Sequence, residues 1–165
     1  MLKFVPVLAS LSLIPVTVCA QTRRSPFVEA GVVAEYNSAP VSVDGLGGHL
    51  ALGVFLSPTW HVAVTTDAVK NHYNNASWSN YSFIVGTTPV LTDKVALEFS
   101  AGFGAHRSSE NGLHYRAPAA TLGGGAAVAV SRHIAIAPQL RGFITFGREY
   151  LGATSIFELG LRWRR

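Results

Sequence analysis

Eight stretches of the chain alternate apolar residues with polar or small ones, and one phase of that alternation carries no charge in any of them. Successive side chains of a strand point to opposite faces, so a period of two reads as a strand with two unlike sides. The stretches lie near Phe27–Asn37, Leu46–Ser57, Trp60–Val69, Trp78–Val90, Lys94–His106, Ala119–Ser131, His133–Phe146 and Thr154–Trp163. The fifth shows the split most clearly: Val95, Leu97, Phe99, Ala101 and Phe103 alternate with Ala96, Glu98, Ser100, Gly102 and Gly104. In the same way Val28, Ala30 and Val32 oppose Glu29, Gly31 and Val33, and Phe157, Leu159 and Leu161 oppose Glu158, Gly160 and Arg162. An arginine or lysine facing lipid at mid-bilayer costs about 2–4 kcal/mol. A charge-free face on every strand therefore reads as a surface that faces lipid.

The pattern predicts an all-β fold, an eight-stranded antiparallel up-and-down transmembrane β-barrel. A soluble up-and-down barrel would carry the opposite polarity, apolar inside and polar outside. Here one face is large and apolar, and the other is Gly, Ala and Ser with isolated charges. The connections alternate as well: Ser57-Pro58-Thr59, Leu91-Thr92-Asp93 and Ser131-Arg132 are tight. Ser38–Gly45, Lys70–Ser77, Arg107–Arg116 and Gly147–Ala153 are longer and polar. Short periplasmic turns and longer external loops are the barrel rule, and an even strand number puts both ends of the barrel on the periplasmic side. Phe27, Trp60 and Trp163 fall at the periplasmic strand ends, and Tyr36, Trp78, Tyr81, Phe103 and Phe146 near the outer ends, as two interfacial girdles would. Pro138 removes a ladder donor from the seventh strand and Gly123-Gly124-Gly125 weakens the sixth, so a bulge or bend is expected there.

Residues 1–20 read as a secretory signal: Lys3, an apolar run from Phe4 to Val18, and small residues at the close in Cys19-Ala20. Residues 21–165 then form one outer-membrane β-barrel domain. The apolar run is interrupted by Pro6 and Pro15 and is too short for a membrane helix. Cys19 is the only cysteine, so a mature chain starting at Gln21 has no disulfide, thiol nucleophile or thiolate metal site. Acylation of Cys19 would need a smaller residue than Val18 before it. Only 13% of the residues are charged and 16 are glycine, which is unlike a soluble enzyme.

The last strand, Phe157-Glu158-Leu159-Gly160-Leu161-Arg162-Trp163, resembles the C-terminal signal of the OmpX/Ail and OmpA-barrel group of small outer-membrane proteins. It departs from that signal by adding Arg164 and Arg165 after the aromatic residue. The resemblance spans the mature length by pattern and implies a monomer in the bacterial outer membrane. It further implies partners in the outer-membrane lipids and, through the C-terminal strand, in the outer-membrane assembly machinery.

The lumen-facing charges are the first candidate site: Glu29, Glu35, His49, Glu98, Arg141, Glu158 and Arg162. Closure of the first strand on the eighth places Glu29 beside Arg162. Arg141 and Glu158 should be neighbours near mid-height, and Glu35 should face His49 across the first hairpin. Buried charges need partners, so these residues read as a structural ion-pair network that blocks the lumen. The functional counterpart is a small gated porin with the same pairs as its gate, although eight strands leave no open aqueous channel.

His106-Arg107-Ser108, with Glu110 close by, is the second candidate, because a Ser and a His two residues apart on a strand share a face. The segment is similar to the His-x-Ser of PagL-type lipid A deacylases, which implies a lipid A-modifying hydrolase. It departs from them in having Ser109 where that family has Asn, and Glu110 is too near in sequence to orient the His. The third candidate is the external loops, where Asn71-His72-Tyr73-Asn74-Asn75 and Arg148-Glu149-Tyr150 suit contact with an external ligand. His72 and His114 lack metal-ligand spacing. Arg23, Arg24, Arg164 and Arg165 cluster at the periplasmic rim within reach of lipid headgroups and suggest no nucleic acid. The reading therefore has no catalytic residue, no metal and no cofactor: a non-enzymatic barrel with a structural, envelope-integrity or adhesion-type role.

Overall fold

The computed structural model describes residues 25–38, 41–72, 76–110, 112–147 and 151–165. The expected signal segment, Cys19, Arg23 and Arg24 lie outside them. Eight strands follow in order: β1 (Pro26–Ser38), β2 (Val41–Phe55), β3 (Trp60–Asn71), β4 (Ser77–Thr87), β5 (Val95–Glu110), β6 (Leu113–Ala129), β7 (Ile134–Phe146) and β8 (Leu151–Arg164). Each pairs antiparallel with its sequence neighbour, and β8 returns to β1 to close the barrel. The expected fold class is the one observed. Closure leaves no unpaired edge, which is what a sheet in lipid requires.

The barrel is inside out relative to a water-soluble protein. Val32, Val64, Phe103 and Leu122 are each at least 60% exposed, while Glu29, Asp67, Arg141 and Glu158 are at most 2% exposed. Strand alternation produces both faces at once: on β3 every second residue from His61 to Val69 is buried, and those between are exposed or half-buried.

The three periplasmic turns share one device. Ser57, Thr92 and Ser131 each accept from the amides two and three residues on, through their hydroxyl oxygens, at 3.0–3.3 Å. In each, the residue before the hydroxyl donates its amide to the first residue of the next strand: Leu56 to Trp60, Leu91 to Val95 and Val130 to Ile134. Short side chains that mimic a backbone turn explain why Ser and Thr stand there.

The outer side differs from expectation. Strand pairing runs into the segments expected as polar loops: Ser38 pairs with Val41, Lys70 with Ser77, Glu110 with Leu113 and Phe146 with Leu151. Among the described glycines Gly112 alone, with φ at 80°, adopts a left-handed conformation, which glycine fills without steric cost. Strands reach 16 and 17 residues in β5 and β6, although about 9–11 suffice to span a bilayer. The excess stands above the membrane as paired β-arms. β4 is shorter than expected, ending at Thr87, with Val90 in an isolated bridge to Ala96.

The expected irregularity at Gly123–Gly125 and Pro138 is not a bulge. Gly125 pairs with Gln139 and Val128 with Ile136 in one register. Pro138 sits on the outward face opposite Leu159. The glycines serve space: a Cβ on Gly125 would fall against the Pro138 carbonyl oxygen and the Gln139 side chain. The register shift lies in the first hairpin instead, where Glu35 pairs with Gly45 but Tyr36 with Val43. Asp44 is the extra residue there.

The sealed lumen and the outer rim as candidate functional sites

Inward positions stack into layers along the barrel axis. At the periplasmic end Phe27, Phe55, Ala63 and Ile84 form an apolar layer. Phe27, Phe55 and His61 contact one another with ring centroids 5.2–5.7 Å apart. Phe27 belongs to the lumen phase and is buried, so it is not part of the expected girdle. Trp60 and Trp163 do face outward there.

Above this layer lies the ionic one. The Arg162 guanidinium lies against both Glu29 and Glu98, with its Nη2 donating to Glu98 at 3.0 Å. Gln139 Nε2 donates to the same Glu98 at 2.9 Å, and the Phe27 ring sits 5.0 Å beneath the guanidinium carbon, a cation–π contact. A second group joins it. Arg141 reaches Asp67 at 3.2 Å and Glu158 at 2.7 Å. His49 sets Nδ1 2.7 Å from Asp67 and Nε2 3.0 Å from Glu158. Four carboxylates thus share two forked guanidiniums and one imidazole, with bidentate or bridging geometry that a single lysine could not supply.

Over the ionic layer lies another apolar one, Val33, Val69, Trp78, Phe143 and Ile156. Trp78 is therefore a lumen residue, not a girdle residue; its Nε1 donates to Glu35 at 2.9 Å. To one side Asn80, Ser82 and Thr121 form a buried hydroxyl–amide chain at 2.7–2.9 Å.

Of the seven residues read as a network, Glu29, His49, Glu98, Arg141, Glu158 and Arg162 converge, with Arg162 against Glu29 and Arg141 against Glu158. Glu35 does not join them: it lies opposite Gly45, whereas His49 lies opposite Gly31. Asp67 and Gln139 are the members that sequence reasoning left out. Both stand in the inward phase of their strands, but only the pairing of His49 with Asp67 across β2 and β3 reveals the contact.

Glu29, His49 and Glu158 bring possible ligand atoms within 4.8 Å of one another. Arg141 and Arg162 already lie against these two carboxylates and supply positive charge from the chain itself. The cavity bordered by Glu29, His49 and Arg162 measures about 10 Å³, close to the space of one water.

His106 and Ser108 share the inward face of β5, but no hydrogen bond joins them among the described residues. His106 packs on Trp78 at 5.6 Å instead. Ser108 lies opposite Trp78 and Tyr115. Both side chains point away from the lipid. Residues 73–75 and 148–150 of the expected adhesive loops lie outside the described residues, and His72 and His114 form no metal-ligating group among them.

These features define a class: a closed, lumen-filled β-barrel with a lipid-facing belt, the architecture of the small outer-membrane barrels, which places the chain in a bacterial outer membrane. No family model matches the chain, and no curated protein is close enough in sequence to match. Solved structures do match in fold. Neisserial surface protein A aligns with a TM-score of 0.70 at 15% identity, over 84% of this chain and 96% of that one. Ail, the attachment invasion locus protein of Yersinia pestis, aligns at 0.60 and 13%, over 87% and 100%; another Ail structure is a complex with the heparin analogue sucrose octasulfate. The N-terminal β-barrel domain of Pseudomonas aeruginosa OprF aligns at 0.57 and 17%, over 87% and 100%.

Proposed function

We propose that this protein is a non-enzymatic outer-membrane barrel that works through its outer rim, as a surface-contact and envelope-integrity protein. The observation that carries this reading is the layering of the lumen. An ionic layer lies between two apolar layers, so the barrel body offers neither an aqueous path nor a reaction site open to lipid. The ion pairs are then a structural plug. Breaking a buried pair costs about 3–5 kcal/mol, so a gate built on them would open at a high cost. The paired β-arms of β5 and β6 leave the rim as the surface where a partner can be met. The complex of Ail with a heparin analogue supports an external polyanionic ligand as one such partner. The chain acts as a monomer, inserted by the outer-membrane assembly machinery through β8.

Two measurements test the reading. Planar-bilayer recordings of the refolded chain should show no discrete conductance steps; regular steps would favour the gated porin. Lipid A from cells expressing the chain should keep its acylation. Loss of an acyl chain, abolished by Ser108→Ala, would overturn the non-enzymatic assignment. His106 and Ser108 face the lumen, which is the wrong side for a lipid substrate.

A further inference from the structure

The lipid-facing surface ends in charge on one side of the barrel only. On β5 the outward residues are apolar from Val95 to Ala105, and the next is Arg107. On β6 they are uncharged from Val128 to Pro118, and the next is Arg116. On β3 Val62, Val64, Thr66 and Ala68 lead to Lys70. All three cations are exposed. The outward faces of β1, β7 and β8 carry no cation above the belt among the described residues.

Register gathers the three. Lys70 lies opposite Ser77, Arg107 opposite Ser79 on one side and Arg116 on the other. Like charges directly opposite each other across a strand pair repel. No carboxylate makes an ion pair with Lys70, Arg107 or Arg116 among the described residues. A groove of about 630 Å³ is bordered by Lys70, Ser77, Arg107, Ser109, His114 and Arg116.

Height and the surface beneath point to the occupant. Ten steps along β5 from Val95 to Ala105, at about 3.3 Å each and tilted by roughly 40°, rise about 25 Å, the thickness of an outer-membrane apolar band. Arg107 therefore stands at the headgroup level of the outer leaflet. Directly below, on the same strands, Tyr81, Phe83, Phe99, Phe103 and Leu122 are 47–64% exposed, and Phe83 pairs across to Phe103. Phosphate-binding forks thus sit above a broad apolar surface. Guanidinium groups bind phosphate bidentately, and the Ser77 and Ser79 hydroxyls can donate to the same oxygens.

We propose that Lys70, Arg107 and Arg116 form a binding site for the phosphate groups of an acylated glycolipid of the outer leaflet, whose chains lie on the Phe83–Phe103 surface. This rests on the membrane placement of the barrel, and it names one partner of the outer rim.

The test uses the full chain refolded in neutral detergent micelles, with its heat-dependent gel shift as the check on folding. Binding of bis-phosphorylated lipid A, phosphate-free lipid A and soluble sucrose octasulfate is measured by native mass spectrometry. The parent chain should bind bis-phosphorylated lipid A at least about tenfold more tightly than the phosphate-free form. The triple variant K70Q/R107Q/R116Q should lose that preference while keeping the gel shift. R107K/R116K, which keeps charge but loses the forks, should lose a few-fold. Equal binding of both lipids by the parent, or an unchanged preference in the triple variant, would overturn the site. Tight octasulfate binding that the triple variant loses, with lipid A binding unaffected, would assign the cations to an external polyanion and overturn it too. A parent chain with no gel shift would overturn the membrane placement itself, a failure distinct from that of the site.

Discussion

The two faces of the barrel wall are a few ångströms apart and obey opposite rules. The outward face carries no charge over the height of the bilayer and exposes Val, Leu and Phe. The inward face buries Glu29, Asp67, Glu98, Glu158, Arg141 and Arg162. The contrast teaches that burial by itself does not decide where charge is tolerated. Lipid offers no partner to a charge, so a single one there is unpaired. The lumen offers a fixed opposite charge, as Arg141 does to Asp67 and Glu158 at 2.7–3.2 Å, and the two apolar layers keep water from competing. A charge on either face should therefore be costly only where it lacks a partner.

The largest effect is expected from unpairing the lumen. Arg162→Ala removes the cationic partner of both Glu29 and Glu98 and should lower stability by about 3–5 kcal/mol, read by urea unfolding in lipid vesicles. Arg162→Met with Glu29→Gln and Glu98→Gln should restore most of it. If the triple change is as damaging as Arg162→Ala, pairing is not what licenses charge inside. Next, Leu122→Arg puts a charge on the lipid face of β6 and should cost about 2–4 kcal/mol in the same assay. Gly125→Ala overfills the lumen beside Pro138 and Gln139 and should cost about 1–3 kcal/mol. Gly112→Ala, at a position with φ at 80°, should cost about 1 kcal/mol, with no change in lipid-face accessibility. Above the belt the rule for the outward face should lapse: Lys70→Gln should change stability by less than about 0.5 kcal/mol.

How legible each face was follows from the range of its cause. The outward face is a local property, since period two and the absence of charge appear in each strand alone. Barrel closure is a topological rule, so Glu29 could be set beside Arg162 from strand order. Contacts across the lumen need the register of every hairpin between. The first hairpin pairs on to Ser38 and Val41 where a loop over Ser38–Gly45 was expected, so Glu35 lies opposite Gly45 and meets Trp78 instead of His49. Asp67 reaches Arg141 from β3 to β7, a contact that no neighbour rule contains.

Two other departures had signals in the chain. Phe27 and Trp78 stand in the lumen phase of their strands, and phase outweighs an aromatic's preference for interfaces. The polar segment 107–116 reads as a loop by composition, yet it contains Asn111-Gly112, a two-residue hairpin signal. The left-handed Gly112 lets β5 and β6 continue outward to Glu110 and Leu113, and the continuation is what carries Arg107 and Arg116 to the outer headgroups.

The central claim is that lipid, not water, covers the alternating apolar face. Spin labels on single cysteines placed in turn along β5 from Val95 to Glu110, in the chain refolded into lipid bilayers, test it most directly. Odd positions through Ala105 should be open to oxygen and closed to a water-soluble nickel reagent, even positions through Gly104 should be closed to both, and the odd positions should turn nickel-accessible at Arg107. Nickel access at Phe99 and Phe103, equal to that at Arg107, would contradict it and place water against the outer face.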